Sequence, residues 1–214
     1  MSVFHHPSEA TLLAYAAGSL NEGLSLVVAV HLGDCPICRE SVRLCEAVGG
    51  QLLEVSEGAD MGQNALSLTL GRLEEPAARP APQPQPPAQL GFELPHALQG
   101  YRLGNWRWLA PGIRLIRILP LRAGRSSLNL LRVSPGVAMP CHGHAGLELS
   151  CILTGSYVDE FGHFGPGDLA EMDGDVDHMP VADPRDGCIC LIAADGKLQF
   201  RSLLPRLLRP VLGF

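Results

Sequence analysis

No apolar run in these 214 residues approaches the length of a bilayer span. Leu24 to Val30, at seven residues, has the length of a helix core. The N-terminus lacks the charged start and apolar centre of a signal peptide, so the chain is expected to remain in the cytoplasm. Seven cysteines without an export signal point to a reducing compartment, where thiols are metal ligands or redox-sensitive groups and not disulfide staples. Basic residues are scarce in the first third. Residues 1–75 carry ten carboxylates (Glu9, Glu22, Asp34, Glu40, Glu46, Glu54, Glu57, Asp60, Glu74 and Glu75) against Arg39, Arg43 and Arg72, a net charge of −7. The remainder holds 13 basic and 12 acidic residues, close to neutral. So acidic a region repels phosphates, which argues against direct nucleic-acid binding. A basic protein partner suits it, and so does a plain solvated face. No internal repeat is visible.

An apolar content of 46% and a mean hydropathy of +0.15 describe a folded protein, long enough for one or two domains. Helical signals fill the first third. Ser8 is an N-cap opening EATLLAYAA, which Gly18 ends, and Asn21 leads into GLSLVVAVHL. From Pro36 to about Val55, Cys38, Val42, Cys45, Val48 and Leu52 form one apolar stripe, which reads Cys45 as packing. Asn64 to Leu73 is a fourth helix.

Residues 76–90, PAARPAPQPQPPAQL, hold six prolines and no periodicity, and read as a semi-rigid linker between domains 1–75 and 91–214. Beyond it come short strand-like segments broken by Gly, Pro and Asp: YRLGNWRWL, IRLIRILPL, SSLNLLRVS, LELSCILTGSYVDE, DLAEM, CICLIAA and LQFRSLL. Ile113 and Leu115 against Arg114, and Leu128 and Leu130 against Asn129, alternate as half-buried strands do. The expected fold class is α+β in two domains: an all-α bundle, then a β-barrel or sandwich. Trp106 and Trp108 share a strand face as core or pocket lining. The basic, apolar tail RSLLPRLLRPVLGF is expected to pack on the barrel.

Two metal-ligating patterns stand out. Gly136 to Gly155 reads G-x5-H-x-H-x3-E-x6-G. On one extended strand His142, His144 and Glu148 project from one face, three legs of a site for a divalent metal, with His178 as a fourth. This spacing resembles the first motif of the cupin superfamily, small barrels that hold a metal with three His and one Glu. The second cupin motif, G-x5-P-x-G-x2-H-x3-N, runs here from Gly167 through Asp173 and Asp175 to His178 and Ala182. The ligand His is kept while the Pro, second Gly and Asn are replaced. Cys188 and Cys190, at i and i+2, share a strand face near this site; they are either a redox-sensitive pair or two small residues inside the barrel. Cys141 should face the other side of its strand. His163, Asp173, Asp175 and Asp177 read as turn residues.

The second pattern is His31-x3-Cys35-x2-Cys38, which brings three ligands suited to tetrahedral Zn2+ together at a helix junction that Pro36 restarts. His5 and His6 offer the fourth leg, with His6 favoured. Asp34 is a chemically suitable competitor, better placed to cap the next helix. The pattern, with a His some 25 residues upstream, resembles the zinc-binding anti-sigma domain. Followed by a cupin domain, it resembles the ChrR family of bacterial anti-sigma factors over nearly the whole chain. That resemblance implies a structural zinc on His6, His31, Cys35 and Cys38, and a second divalent metal, Zn2+ foremost, on His142, His144, Glu148 and His178. It implies a 1:1 complex with an extracytoplasmic-function-type sigma factor, no membrane association, and a cupin domain that relieves inhibition under oxidative stress, singlet oxygen in this family. The alternative is a metalloenzyme of dioxygenase type, with iron in the His3Glu set.

Overall fold

The computed structural model describes residues 3–73, 90–119, 127–174, 177–196 and 198–200, with the side chains of His144 and of residues 198–200 outside that description. The linker apart from Leu90, Asp175, and the tail from 201 onward lie outside the described residues. Four helices come first: α1 (Glu9–Ala16), α2 (Glu22–Asp34), α3 (Pro36–Glu54) and α4 (Ala65–Leu73). Ser8 caps α1 by accepting the Thr11 N–H, and Asn21 caps α2 by accepting that of Leu24. The α3 cap is Cys35, whose sulfur accepts the Cys38 N–H, and not Asp34. The reason is positional: Asp34 is still the last residue of α2, and Pro36 already opens α3.

Twelve strands follow: β1 (Arg102–Leu103), β2 (Arg107–Ala110), β3 (Ile113–Leu119), β4 (Ser127–Val133), β5 (His142–His144), β6 (Glu148–Gly155), β7 (Tyr157–Asp159), β8 (Gly162–Phe164), β9 (Leu169–Met172), β10 (Val181–Ala182), β11 (Cys188–Ala194) and β12 (Leu198–Phe200). They form an antiparallel sheet in the order β1-β3-β4-β11-β6-β9, with β2 on β3, a smaller sheet β10-β7-β8, and the pair β12-β5. The α+β class and cupin-type sheet are as expected.

The large sheet is buried on both faces, where alternation had suggested half-buried strands. Leu131, Val133, Ile152, Cys188 and Cys190 point inward with Tyr157, Phe164 and Met172. On the opposite face Leu128, Leu130, Leu149, Cys151, Leu191 and Ala193 share one core with Leu24, Val27, Val28 and Val30 of α2. The second layer is therefore a helix, and α2 lies across β6, β11 and β4. Burying those four aliphatic side chains contributes roughly 6–12 kcal/mol before entropy is subtracted, an upper bound. Leu90 joins the same core.

Helix α3 departs from its expected stripe. Cys38 and Val42 are buried and Cys45 half-buried, but Val48 and Leu52 are 61% and 64% exposed. Among the described residues, only the first part of this 19-residue helix has a partner layer; its distal half runs past α1 and α2. Trp108 is likewise exposed, while Trp106 precedes β2 and packs on the helix-facing core, so the two do not share a face. His163 sits in strand β8 with its side chain in solvent, not in a turn. Among the described residues no helix is long and apolar enough to cross a membrane.

Candidate metal centres

The helical site gathers its four ligands from three elements. His6 lies in the extended segment before α1, His31 in the last turn of α2, Cys35 at the α3 cap and Cys38 in the first turn of α3. One donor atom from each lies within 4.8 Å of all the others. His6 Nδ1 is 3.3 Å from Cys35 Sγ and 3.4 Å from Cys38 Sγ.

The local chemistry fits a cation. His31 is fully buried, and its Nδ1–H donates to the Gly167 carbonyl at 2.8 Å. That bond assigns the tautomer and leaves Nε2 as an acceptor, buried without a hydrogen-bond partner among the described residues. Burial lowers the His31 pKa, against the pull of the Gly167 bond, so the ring stays neutral as a ligand must. Burial, then hydrogen bonding to Cys35, pushes the Cys38 thiol up to about 12. An orphaned imidazole lone pair beside two buried thiols, in tetrahedral number, is a donor set for Zn2+. Asp34, the alternative fourth ligand, is exposed and is not in the set.

The barrel site is built differently from its sequence reading. His142 and His144 lie on β5, but Glu148 opens the separate strand β6; Ala145–Leu147 turn the chain between them. One strand carrying all three is thus replaced by two. His142, Glu148 and His178 are buried and bring a donor atom each within 4.8 Å of the others. The His144 side chain is outside the described residues. His178 reaches the group through a bridge to His142, each backbone N–H donating to the other's carbonyl at 3.2 and 3.0 Å.

Two outer contacts orient the rings. His142 Nδ1 donates to the Pro140 carbonyl at 2.8 Å, and His178 Nδ1 to Asp159 Oδ2 at 3.2 Å. Both Nε2 atoms are then acceptors, and they face each other 3.2 Å apart. Two lone pairs at that distance repel unless a proton or a metal lies between them. Asp159, whose side chain is fully buried, escaped sequence reading because it pairs across 19 residues with no local motif. The carboxylate–imidazole arrangement is the one that fixes metal-bound histidines in other proteins.

A narrow cavity of about 50 Å3 opens on this group, walled by Leu131, Met139, Tyr157, Ile192, Cys188 and Cys190. Cys188 and Cys190 are therefore inside the barrel beside the metal-ligating set, and both are buried free thiols. The bond with Cys188, and then burial, hold Cys190 well above an ordinary thiol. Cys141 is exposed, away from them.

Fold and sites together describe a cupin-type barrel joined to a helical His2Cys2 module. The family model of the ChrR cupin-like domain matches residues 102–198. Anti-sigma-E factor ChrR of Cereibacter sphaeroides is 41% identical over 214 residues, covering 98% of both chains. The crystal structure of Rhodobacter sphaeroides SigE in complex with the anti-sigma ChrR is similar with a TM-score of 0.74 and 39% identity, covering 91% of this chain and 100% of that one. The chain belongs to the ChrR family of anti-sigma factors, which are regulators and not enzymes.

Proposed function

We propose that this protein binds an extracytoplasmic-function-type sigma factor one-to-one and withholds it from RNA polymerase. Residues 1–75 form the masking domain, 76–90 the linker and 91–214 the sensor. The observation that carries this reading is an apolar surface left uncovered among the described residues. Leu44, Val48, Leu52 and Val55 line a shallow groove on distal α3, and Leu66, Leu68, Leu70 and Leu73 of α4 are all more than half exposed. An exposed apolar groove such as the one on α3 marks a protein interface. The −7 charge around it favours a basic partner and disfavours nucleic acid. The partner's identity is supported by the ChrR relative solved with SigE.

His6, His31, Cys35 and Cys38 hold a structural Zn2+ that stitches the α2–α3 junction to the N-terminal segment. His142, His144, Glu148 and His178 hold a second divalent metal, Zn2+ foremost, and this site governs release under oxidative stress, singlet oxygen being the family's signal. Cys188 and Cys190 line the cavity beside it, either as a redox-sensitive pair or as two small residues packed inside the barrel. The protein works in the cytoplasm without a membrane. Native co-purification with identification of the bound protein and metals tests the partner and the zinc. Sigma-dependent transcription with and without oxidant tests the sensor: His178→Ala should retain inhibition and lose release. If His178→Ala still responds fully, the barrel metal is not the switch.

A further inference from the structure

The zinc ligands lie in the helical region, yet their outer contacts come from the barrel. We infer that the Gly165–Asp168 turn between β8 and β9 braces two ligands of the helical zinc site, so that this site binds metal more tightly while the barrel is docked against it. The inference rests on the zinc reading given above for His6, His31, Cys35 and Cys38.

Three contacts converge on this turn. The Gly167 carbonyl receives the Nδ1–H of His31 at 2.8 Å, which is what aims Nε2 at the other ligands. Asp168 Oδ1 accepts the backbone N–H groups of Phe4 and His5, at 2.7 and 3.0 Å, immediately before the ligand His6. Its Oδ2 accepts the Gly165 N–H at 2.8 Å and lies 3.3 Å from His5 Nδ1. The His5 carbonyl in turn receives the Leu169 N–H at 3.1 Å. One buried carboxylate and one carbonyl thus fix two of the four ligands, one directly and one through its preceding backbone.

Space at the turn is tight. Gly167 has φ +87°, and a Cβ there would lie 2.9 Å from Val3 Cγ2 and 3.4 Å from Asp34 Cβ. The N-terminal segment and the end of α2 therefore close onto the turn at distances only glycine permits. The turn is itself held by the barrel interior. Phe164, which ends β8, stacks on Tyr157 at 4.8 Å and packs tilted against His5 at 4.1 Å, and Tyr157 lines the cavity over the barrel metal group. On the other side β9 pairs with β6, with Met172 opposite the ligand Glu148.

Asp168 and Gly167 are positioning residues: neither touches the metal, and each acts through a ligand or its neighbour. Removing such outer contacts typically lowers metal affinity 10–100-fold. By linkage, zinc binding strengthens docking of the helices on the barrel by the same factor.

The test uses the full-length zinc protein and reads the helical site alone, through alkylation of Cys35 and Cys38 mapped by peptide mass spectrometry over a chelator titration. Asp168→Asn keeps shape and removes the charge; Gly167→Ala displaces the carbonyl. The inference expects both cysteines to lose protection at roughly 10–100-fold lower free chelator in each variant, while helical circular dichroism of the zinc-loaded protein matches wild type. Variants that lose thermal stability but stay within about twofold of wild type in chelator response would show a merely structural turn and overturn the inference. Wild type whose Cys35 and Cys38 are never protected by zinc would instead remove the zinc assignment, and the inference with it.

Discussion

Leu24 lies near the start of α2, 2% exposed, in the core shared by helices and barrel. Truncating it to alanine removes three methyl-sized groups from a site walled by a rigid sheet, which has little freedom to collapse. Such substitutions cost about 2–5 kcal/mol, and the sheet behind α2 places this one in the upper half. For a chain of this size that is a fall in Tm of roughly 7–20 °C. The informative quantity is which signals move together. Far-ultraviolet circular dichroism reports mainly the helices, and tryptophan fluorescence from Trp106 and Trp108 reports the barrel. Because α2 packs on β6, β11 and β4, both probes should shift by the same amount in Leu24→Ala and share one midpoint. A helical transition that falls while the tryptophan midpoint stays at its wild-type value would refute the shared core. The helices would then be an independent folding unit resting on the barrel.

Asp159→Ala should leave the fold intact and weaken barrel metal binding about 10–100-fold, because His178 loses the acceptor that fixes its tautomer; chelator competition on the purified protein measures this. Val48→Asp and Leu52→Asp place charges on surface already exposed, so Tm should change by less than about 0.5 kcal/mol equivalent while partner affinity falls tenfold or more in a pull-down titration. Unchanged affinity would move the interface elsewhere. Zinc binding should release protons, since Cys38 is held protonated to about 12 without metal and must ionise as a ligand. Apparent affinity at the helical site should therefore rise with pH across the neutral range, by up to about tenfold per unit for each proton released, and isothermal titration in buffers of different ionisation enthalpy counts them.

Much of this molecule is legible in the chain. The Ser8 and Asn21 caps and the proline restart at Pro36 are local signals, and each helix stands where they put it, whereas the glycine-bracketed His142–Glu148 motif spans two strands and not the single one its spacing suggests. The strands were readable as segments but not as a two-sided layer. CICLIAA does not alternate, and only the position of α2 explains why both its faces are apolar. The stripe on α3 was read as core because apolar periodicity reports that a face is covered, not by what. Val48 and Leu52 satisfy the period and remain uncovered among the described residues. Asp159, Gly167 and Asp168 were beyond reach for a different reason. Their roles come from contacts spanning 19 to 164 residues, and an isolated Asp or Gly carries no mark of what will dock on it.

The exposed leucines of α3 and α4 have a consequence for abundance. A copy without its partner carries this apolar surface into a crowded solution, where self-association and proteolysis compete for it. Synthesis in excess of the partner would then be self-limiting, since surplus copies are the ones removed. The ratio of the two proteins would be set by the stability of the unpaired one, and a rise in partner concentration alone would lengthen this protein's lifetime.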